Sequence, residues 1–396
     1  MNMNEQMKES EESILHTYNR FPVVFEKGQG CYLYDSEGKE YLDFAAGIAV
    51  NSLGYHYPGY DEALKDQIDK LMHISNLYYN EPIIEAGAKL VKASKMSKAF
   101  FTNSGTEAIE GALKAAKKYA YVRDGHADHE IIAMNHSFHG RSIGALSVTG
   151  TAHYREPFEP LMGGVKFADF NDLESVKAQI TDKTCAIITE VVQGEGGIYP
   201  AKREFLEGLR QICDEKDIML IFDEIQCGMG RTGYYFAWQA YGVQPDIMTS
   251  AKALGCGVPV GAFVLSEKAA KASLEPGDHG TTYGGNPFVC AAVSKVFDIY
   301  ENDKIIEHVQ EMTPYLEQKL DEIVAKHECA ATRRGMGFMQ GIVIQGRPVG
   351  EVVKAALAKG LLVISAGSDV LRIVPPLVIT KEHIDKMAAI LDECME

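Results

Sequence analysis

Residues 218–225, IMLIFDEI, place five apolar residues directly before Asp223 and Glu224. A short, continuous apolar run of this kind is typical of a strand that is buried on both faces of a sheet. TCAIITEVV at 184–192 has the same character, and the helical pattern REFLEGLRQICDEKD at 203–217 stands between the two runs. Buried strands that alternate with helices predict an α/β fold, with a mostly parallel central sheet covered by helices on both faces.

The pattern changes after about residue 290, where a long helical stretch at 288–326 precedes shorter strand-like and helical segments. This change predicts a second, smaller α+β unit, in keeping with a length of 396 residues and a usual domain size of roughly 100–200 residues. We expect a large domain at 51–290 and a small domain built from an N-terminal segment, 1–50, and a C-terminal part, 291–396.

Composition argues against several classes of partner. The chain has 55 acidic and 39 basic residues and a net charge of −16, which disfavours nucleic acid and anionic membranes as partners. No apolar run approaches the ~20 residues that span a bilayer, and the acidic start MNMNEQMKESEES does not resemble a signal peptide. The eight cysteines form no C-x-x-C pair, so we expect reduced thiols in a cytoplasmic protein.

Polar residues gather where the predicted strands end. Ligands of open α/β sheets bind beyond the carboxyl ends of the strands, so loops at these ends are expected to meet at one edge of the sheet. The segments with this placement are TNSGTE (102–107), NHSFHGR (135–141), TEVVQGEGG (189–197), FDEIQ (222–226) and TSAK (249–252). We therefore predict that the five loops form a single site.

The first of these segments has two interpretations. Ser104, Gly105 and Thr106 stand at a predicted helix start, where free backbone N–H groups and the helix dipole favour a phosphate. Ser104 and Glu107 also have the spacing of a capping box, which needs no ligand. The segment alone leaves both interpretations open.

Asp223 and Lys252 also have structural alternatives. Asp223 ends a buried strand and needs donors or a cation, which an ordinary ion pair would supply. Lys252 could extend its ammonium to water, or, if partly desolvated, act as a nucleophile or form a Schiff base. The pair His136 and His139 suggests a metal, but no third ligand stands beside it, and no metal site is predicted.

Seven motifs together resemble the class III (subgroup II) aminotransferases, which use pyridoxal 5′-phosphate (PLP) on the fold-type I scaffold. They run in the family's order from about residue 20 to 380, and GIAVNSLGYHYP (47–58) with QGEGG is most similar to the acetylornithine aminotransferase branch. The motifs are FFTNSGTEAIEGALKAA, FHGRSIGALSVTG, EVVQGEGG, LIFDEIQCGMGRTG, PDIMTSAKALGCGVPVGAF, HGTTYGGNP and VLRIVPPLVI.

The resemblance implies a role for each residue around the PLP ring. Lys252 would hold PLP as a Schiff base and later act as general base and acid. Asp223 would keep the pyridine nitrogen protonated, and Gln226 would bond the phenolic oxygen. Phe138 and Ile225 would stack on the two faces of the ring.

The resemblance also implies how the phosphate of PLP is bound. Gly105 and Thr106 would donate backbone N–H groups, with Ser104 nearby. Thr282, in HGTTYGGNP, would reach the same phosphate from the neighbouring subunit. A site shared in this way implies a homodimer.

The substrate residues that the resemblance implies are two arginines and two glutamates. Arg141 would bind the α-carboxylate of an ornithine-like donor and the distal carboxylate of 2-oxoglutarate, with a bidentate fork. Arg372 would bind the carboxylate beside the keto group, and Glu195 would pair with Arg372 while the donor is bound. Glu190 would lie near the substrate and the ring.

The implied activity is transfer of the terminal amino group of N2-acetylornithine to 2-oxoglutarate in arginine biosynthesis. Ornithine, succinylornithine, 4-aminobutyrate and an N-modified lysine are alternative donors with the same machinery, and an aminomutase of the same fold is a more distant alternative. A non-catalytic binding or regulatory protein is a different class, which the presence of Lys252 and Asp223 disfavours.

Overall fold

The computed structural model describes residues 2–396. The α-helices, in chain order, are α1 (Met3–Ser13), α2 (Ala46–Ala49), α3 (Tyr60–Lys70), α4 (Glu81–Ser94), α5 (Gly105–Asp124), α6 (Ile143–Ser147), α7 (Ala152–Arg155), α8 (Leu173–Gln179), α9 (Arg203–Lys216), α10 (Glu267–Lys271), α11 (Pro287–Asn302), α12 (Ile305–Lys326), α13 (Val349–Ala358) and α14 (Lys381–Met395). Short 3-10 turns occur at Glu156–Phe158, Ala237–Ala240 and Lys252–Leu254.

The strands, in chain order, are β1 (Phe25–Gln29), β2 (Tyr32–Asp35), β3 (Glu40–Asp43), β4 (Lys98–Thr102), β5 (Glu130–Met134), β6 (Val165–Ala168), β7 (Thr184–Glu190), β8 (Val192–Gln193), β9 (Tyr199–Pro200), β10 (Met219–Asp223), β11 (Ile247–Ser250), β12 (Gly261–Leu265), β13 (Ala330–Met336), β14 (Met339–Ile344), β15 (Leu361–Leu362), β16 (Ile364–Ala366) and β17 (Val370–Ile373).

A seven-stranded sheet forms the centre of the molecule, in the order β4-β12-β11-β10-β7-β5-β6. Strand β12 runs antiparallel to both of its neighbours, while the pairs from β11 to β6 are parallel. Every residue of β7 and β10 is buried, as expected for strands covered on both faces. The predicted α/β architecture with a mostly parallel sheet is confirmed.

Helix α5 packs its small residues directly on this sheet. Its buried face is mostly alanine and glycine, and a Cβ placed on Gly111 would lie 2.2 Å from the ring of Phe263 on β12. Ser104 caps the start of the helix, and Gly125 ends it in the left-handed conformation, with φ 75°. This close packing fixes the helix start at the edge of the sheet.

Two further four-stranded sheets lie outside the central one. Strands β2 and β3 form an antiparallel hairpin, and β15 pairs with β3 in parallel, bringing Leu361 opposite Leu42. The second sheet has the order β13-β14-β17-β16 and is antiparallel. The domain boundaries at residues 50 and 290 remain a prediction.

The structure differs from one expectation about the C-terminal part. The helical stretch at 288–326 is two helices, because Lys304 takes a left-handed φ of 55° between α11 and α12. Strand β14 begins at Met339, because Gly337, with φ 60°, turns the chain between β13 and β14. None of the helices in residues 2–396 is both long enough and apolar enough to cross a membrane.

Candidate active site

A cavity of about 490 Å³ lies where the loops after the central strands meet. All five polar segments contribute to its lining, as their position at the strand ends predicts. The contributing residues include Ser104, Gly105, Thr106, Phe138, His139, Arg141, Glu190, Asp223, Ile225, Gln226 and Lys252. Residues far apart in the sequence therefore share one concave site.

Asp223 is the last residue of β10, and both of its carboxylate oxygens accept hydrogen bonds. Its Oδ1 accepts the N–H of Ile225 at 3.0 Å and the hydroxyl of Thr249 at 3.2 Å. Its Oδ2 lies 2.7 Å from Nδ1 of His139, and both side chains are buried. A carboxylate oxygen only accepts hydrogen bonds, so this contact requires the proton on Nδ1 of His139. The contacts fix the orientation in which Asp223 faces the cavity.

Lys252 follows β11 in a strained backbone conformation. Its φ is 47°, a left-handed value that is rare for residues other than glycine and that often marks functional sites. Burial lowers the pKa of Lys252; the Glu195 carboxylate opposes this effect, and the Arg372 guanidinium adds to it. The lowered pKa favours the neutral amine, which is the form that acts as a nucleophile or base.

The start of α5 offers free donors to the cavity. The hydroxyl of Ser104 accepts the N–H of Glu107 at 3.4 Å, whereas the carboxylate of Glu107 accepts the N–H of Asn103 at 2.8 Å. The reciprocal capping box is therefore incomplete. In residues 2–396 the N–H groups of Gly105 and Thr106 have no acceptor, so the helix start is available to an anion.

Arg372, Glu195 and Gln226 form one cluster. Nη1 of Arg372 donates to Oε1 of Glu195 and, at 3.1 Å, to Oε1 of Gln226, while Nε2 of Gln226 donates to Glu195 at 3.3 Å. Burial alone would raise the pKa of Glu195, but the Arg372 guanidinium, together with Lys252 and Gln226, outweighs this effect and the pKa is lowered. The ion pair that the sequence resemblance implies is thus formed.

Glu190, the last residue of β7, is a buried carboxyl group. It accepts the N–H of Phe138 at 3.3 Å and the N–H of Gly194 at 3.1 Å. Burial raises the pKa of Glu190 well above its ordinary value, and the neighbouring Asp223 carboxylate adds to the effect. Two acidic groups in one cavity therefore have different environments, since Asp223 has donors that Glu190 lacks.

Arg141 and Thr282 lie at the periphery. Arg141 is exposed at the cavity mouth, with its guanidinium carbon 4.1 Å from the ring centroid of Tyr154 and 5.3 Å from that of Phe138. Thr282 is exposed and lies outside the lining of this cavity. Phe138 and Ile225 both line it, and their stacking on a cofactor remains a prediction.

Sequence reasoning missed the contacts of three buried polar residues at or next to this site. His139 was considered only as a metal ligand, and it bonds Asp223 instead. Thr249 lies opposite Asp223 in the β10–β11 pairing, which a local pattern does not reveal. Glu224 accepts the N–H groups of Ala237 and Trp238, both at 2.8 Å, and burial raises its pKa to about 7. The only sequence feature that pointed to Glu224 was its place as a second acidic residue at the end of a buried strand.

These groups fit PLP. The free N–H groups at the start of α5 suit a phosphate, the oriented carboxylate of Asp223 suits a protonated pyridine nitrogen, and the amine of Lys252 suits an aldehyde. The cavity between them is lined mainly by apolar and backbone groups, as small-molecule sites usually are.

The sequence model of the family described as aminotransferase class-III matches residues 14–395. The chain belongs to this family. Class-III aminotransferases are PLP-dependent transaminases, so the predicted enzyme class and cofactor are confirmed.

Individual relatives agree with this assignment to the class-III aminotransferases. An acetylornithine aminotransferase from Clostridium acetobutylicum is 47% identical, over 98% of this chain and 100% of the relative. A succinylornithine transaminase from Yersinia pseudotuberculosis is 44% identical, over 94% of this chain and 92% of the relative. The solved N-acetylornithine aminotransferase from Stenotrophomonas maltophilia is 35% identical, with a TM-score of 0.84 and coverage of 98% of both chains.

Proposed function

We propose that the protein transfers the terminal amino group of N2-acetylornithine to 2-oxoglutarate, giving N-acetylglutamate 5-semialdehyde and glutamate, a step of arginine biosynthesis. The observation that carries this proposal is that one of the two arginines has an acidic partner and the other has none. Arg372 is already paired with Glu195, whereas Arg141 has no acidic partner within residues 2–396. One free guanidinium suits a donor with one carboxylate, held at the end opposite to the reacting amine.

PLP, when bound, supplies an electron sink for the substrate carbon that loses its proton. Asp223, oriented by His139, would face the pyridine nitrogen and keep it protonated. Lys252 would hold the cofactor covalently, with Phe138 and Ile225 on its two faces. Once released, the Nζ of Lys252 would take the proton from the substrate carbon, a role that the lowered pKa of Lys252 favours.

The cofactor phosphate would be bound at the start of α5. The N–H groups of Gly105 and Thr106 are free there, and Ser104 stands next to them. The hydroxyl of Thr106 is 2.7 Å from that of Ser142, which joins this corner to the loop that carries Arg141. Gln226, which lines the cavity, would bond the phenolic oxygen of the cofactor.

A second copy of the chain would complete the site, with its Thr282 reaching the phosphate. Thr282 is exposed in a segment next to Tyr283, which is 62% exposed. Leu77, Tyr78 and Tyr79 are also exposed, at 86%, 64% and 95%. Apolar surface of this kind supports a face that a homodimer covers.

The two half-reactions would use the same arginines differently. The donor places its α-carboxylate on Arg141, and Glu195 keeps Arg372 occupied. The acceptor has two carboxylates, so one lies on Arg141 and the other displaces Glu195 from Arg372. Glu190, beside the reacting centre, has a raised pKa and adds no fixed negative charge there when protonated.

A panel of amino donors tests the proposal. We expect kcat/KM with 2-oxoglutarate as acceptor to be highest for N2-acetylornithine, ahead of ornithine, 4-aminobutyrate and N2-acetyllysine. Succinylornithine is the strongest competitor, because a succinylornithine transaminase is among the similar relatives. A donor without an acyl group in first place would overturn the choice of substrate but not of enzyme class.

We also propose that the segment 1–50 joins the part 291–396 in a small domain, beside a large domain at 51–290. The parallel pairing of β15 with β3 supports this division, because it links the two ends of the chain. A cytoplasmic location stays a prediction.

A further inference from the structure

Arg141 is oriented by aromatic rings rather than by an acid. Its guanidinium carbon is 4.1 Å from the ring centroid of Tyr154 and 5.3 Å from that of Phe138. The two rings lie 5.9 Å apart at an interplanar angle of 81°, so they form an edge-to-face corner. No hydrogen bond or ion pair from Arg141 to another residue occurs in the described part of the chain, 2–396.

We propose that Tyr154 is a positioning residue that presents Arg141 to the carboxylates of both substrates. The inference rests on the proposed function, because that function assigns the carboxylates to Arg141. A guanidinium that stacks on a ring face keeps its N–H donors free at its edge. An acid partner would instead occupy these donors, as Glu195 does at Arg372.

The two members of the stack are anchored independently. The loop that carries Arg141 is tied to α5 through Ser142, whose hydroxyl donates to Glu110 at 2.5 Å. Tyr154 lies on the short helix α7, next to Arg155, whose guanidinium carbon is 4.0 Å from the ring centroid of Phe167. Two separately fixed segments therefore bring ring and guanidinium together before a substrate arrives, which lowers the ordering cost of binding.

The ring, and not the hydroxyl, is the part of Tyr154 that contacts Arg141. The hydroxyl of Tyr154 makes no hydrogen bond to any residue in 2–396, while the ring centroid is within cation–π distance. Tyr154→Phe retains the aromatic face, and Tyr154→Leu removes it. The two substitutions therefore separate the stack from other effects of the side chain.

The test compares the Tyr154→Leu and Tyr154→Phe holoenzymes with the unmodified enzyme. We expect leucine to lower kcat/KM for N2-acetylornithine and for 2-oxoglutarate by roughly 2- to 30-fold, through KM rather than kcat. Phenylalanine should restore most of the loss. Phe158→Leu, at a neighbouring aromatic residue that is 57% exposed, is the matched control and should leave both values unchanged.

A donor without the α-carboxylate gives the decisive contrast. N-acetyl-1,4-diaminobutane keeps the reacting amine and the acyl group, so Tyr154→Leu should not lower its kcat/KM relative to the unmodified enzyme. An equal loss with both donors would overturn the proposal. If this donor turns over too slowly, the inhibition constant of glutarate decides: it should rise roughly 2- to 30-fold with leucine and stay constant with phenylalanine.

Arg141→Ala separates this proposal from the proposed function. If Arg141→Ala impairs both substrates and Tyr154→Leu impairs neither, only the positioning role of Tyr154 is wrong. If Arg141→Ala impairs neither substrate, the carboxylate site itself is misassigned, and the proposed function loses its main support. The visible absorbance of bound cofactor and the melting temperature of each variant show that the site and fold are intact.

Discussion

Replacing Glu195 with glutamine should change which amino donor the enzyme prefers. The substitution keeps the size of the side chain but removes the negative charge that pairs with Arg372, a residue whose side chain is only 4% exposed. Arg372 would then keep its contacts to the amide of Gln226 and to the carbonyl of Ser365, at 3.1 Å each, but would have no ionic partner. A substrate carboxylate would then compete for Arg372 with a neutral amide rather than with an acid.

The size of the effect follows from the charged contact to Arg372 that is lost. A hydrogen bond to a charged group contributes about 1.5–3 kcal/mol, which corresponds to roughly 10- to 150-fold in an equilibrium constant. Glutamate and 2-oxoglutarate, which need Arg372, should gain a part of this factor in kcat/KM. N2-acetylornithine should lose, because an unpaired Arg372 attracts its carboxylate away from Arg141. We expect the glutamate-to-acetylornithine ratio of kcat/KM to rise at least about tenfold.

The assay follows each half-reaction separately through the visible absorbance of the bound cofactor. Glu195→Asp is the control that retains the charge on a shorter side chain, and its ratio should stay nearer to that of the unmodified enzyme. If Glu195→Gln leaves the ratio unchanged while cofactor absorbance is normal, the ion pair with Arg372 does not govern donor choice, and the proposed division between the arginines is wrong.

Three further predictions concern the cofactor site and the fold. Lys252→Ala should abolish both the visible absorbance of the holoenzyme and multiple turnover, and retained turnover would refute its role. His139→Asn keeps a donor for Asp223 and should retain PLP, whereas His139→Leu should raise the dissociation constant of PLP by roughly 10- to 150-fold; equal constants by equilibrium dialysis would contradict this. Burial raises the pKa of Glu224 to about 7 in the folded protein, so the native state binds more protons than the unfolded state between the ordinary pKa of 4.5 and that raised value. The free energy of unfolding should therefore fall as pH rises through this window, by up to about 1.4 kcal/mol per pH unit. Urea denaturation at several pH values measures this slope, and Glu224→Gln should make it smaller.

The central sheet could be predicted because the residues of its inner strands form recognisable apolar runs in the sequence. Strands β7 and β10 are mostly apolar and fully buried, so a local pattern reports their environment directly. Strand β6 is only partly buried, and its four residues, VKFA, give no comparable pattern. The left-handed turn at Lys304 was equally hidden, because lysine has no preference for that conformation and the surrounding packing imposes it.

The site was predictable to the extent that sheet topology decides it. Asp223 ends β10 and Lys252 follows the parallel strand β11 of the same sheet, so both had to lie at the same edge. The bond between His139 and Asp223 depends on how a loop folds over the sheet, and no spacing in the sequence encodes it. The same holds for Tyr154, which meets Arg141 only through the tertiary placement of α7.

The pairing of β15 with β3 has a consequence for how the chain is made on the ribosome. The hairpin of β2 and β3 emerges early, but its remaining edge waits for Leu361 and Leu362. At typical translation speeds this interval is on the order of half a minute. During that time the unpaired backbone of β3 can pair with a foreign strand. The nascent N-terminal hairpin is therefore exposed to mispairing until residue 361 is made, and a chain cut short before residue 361 would keep that edge open permanently.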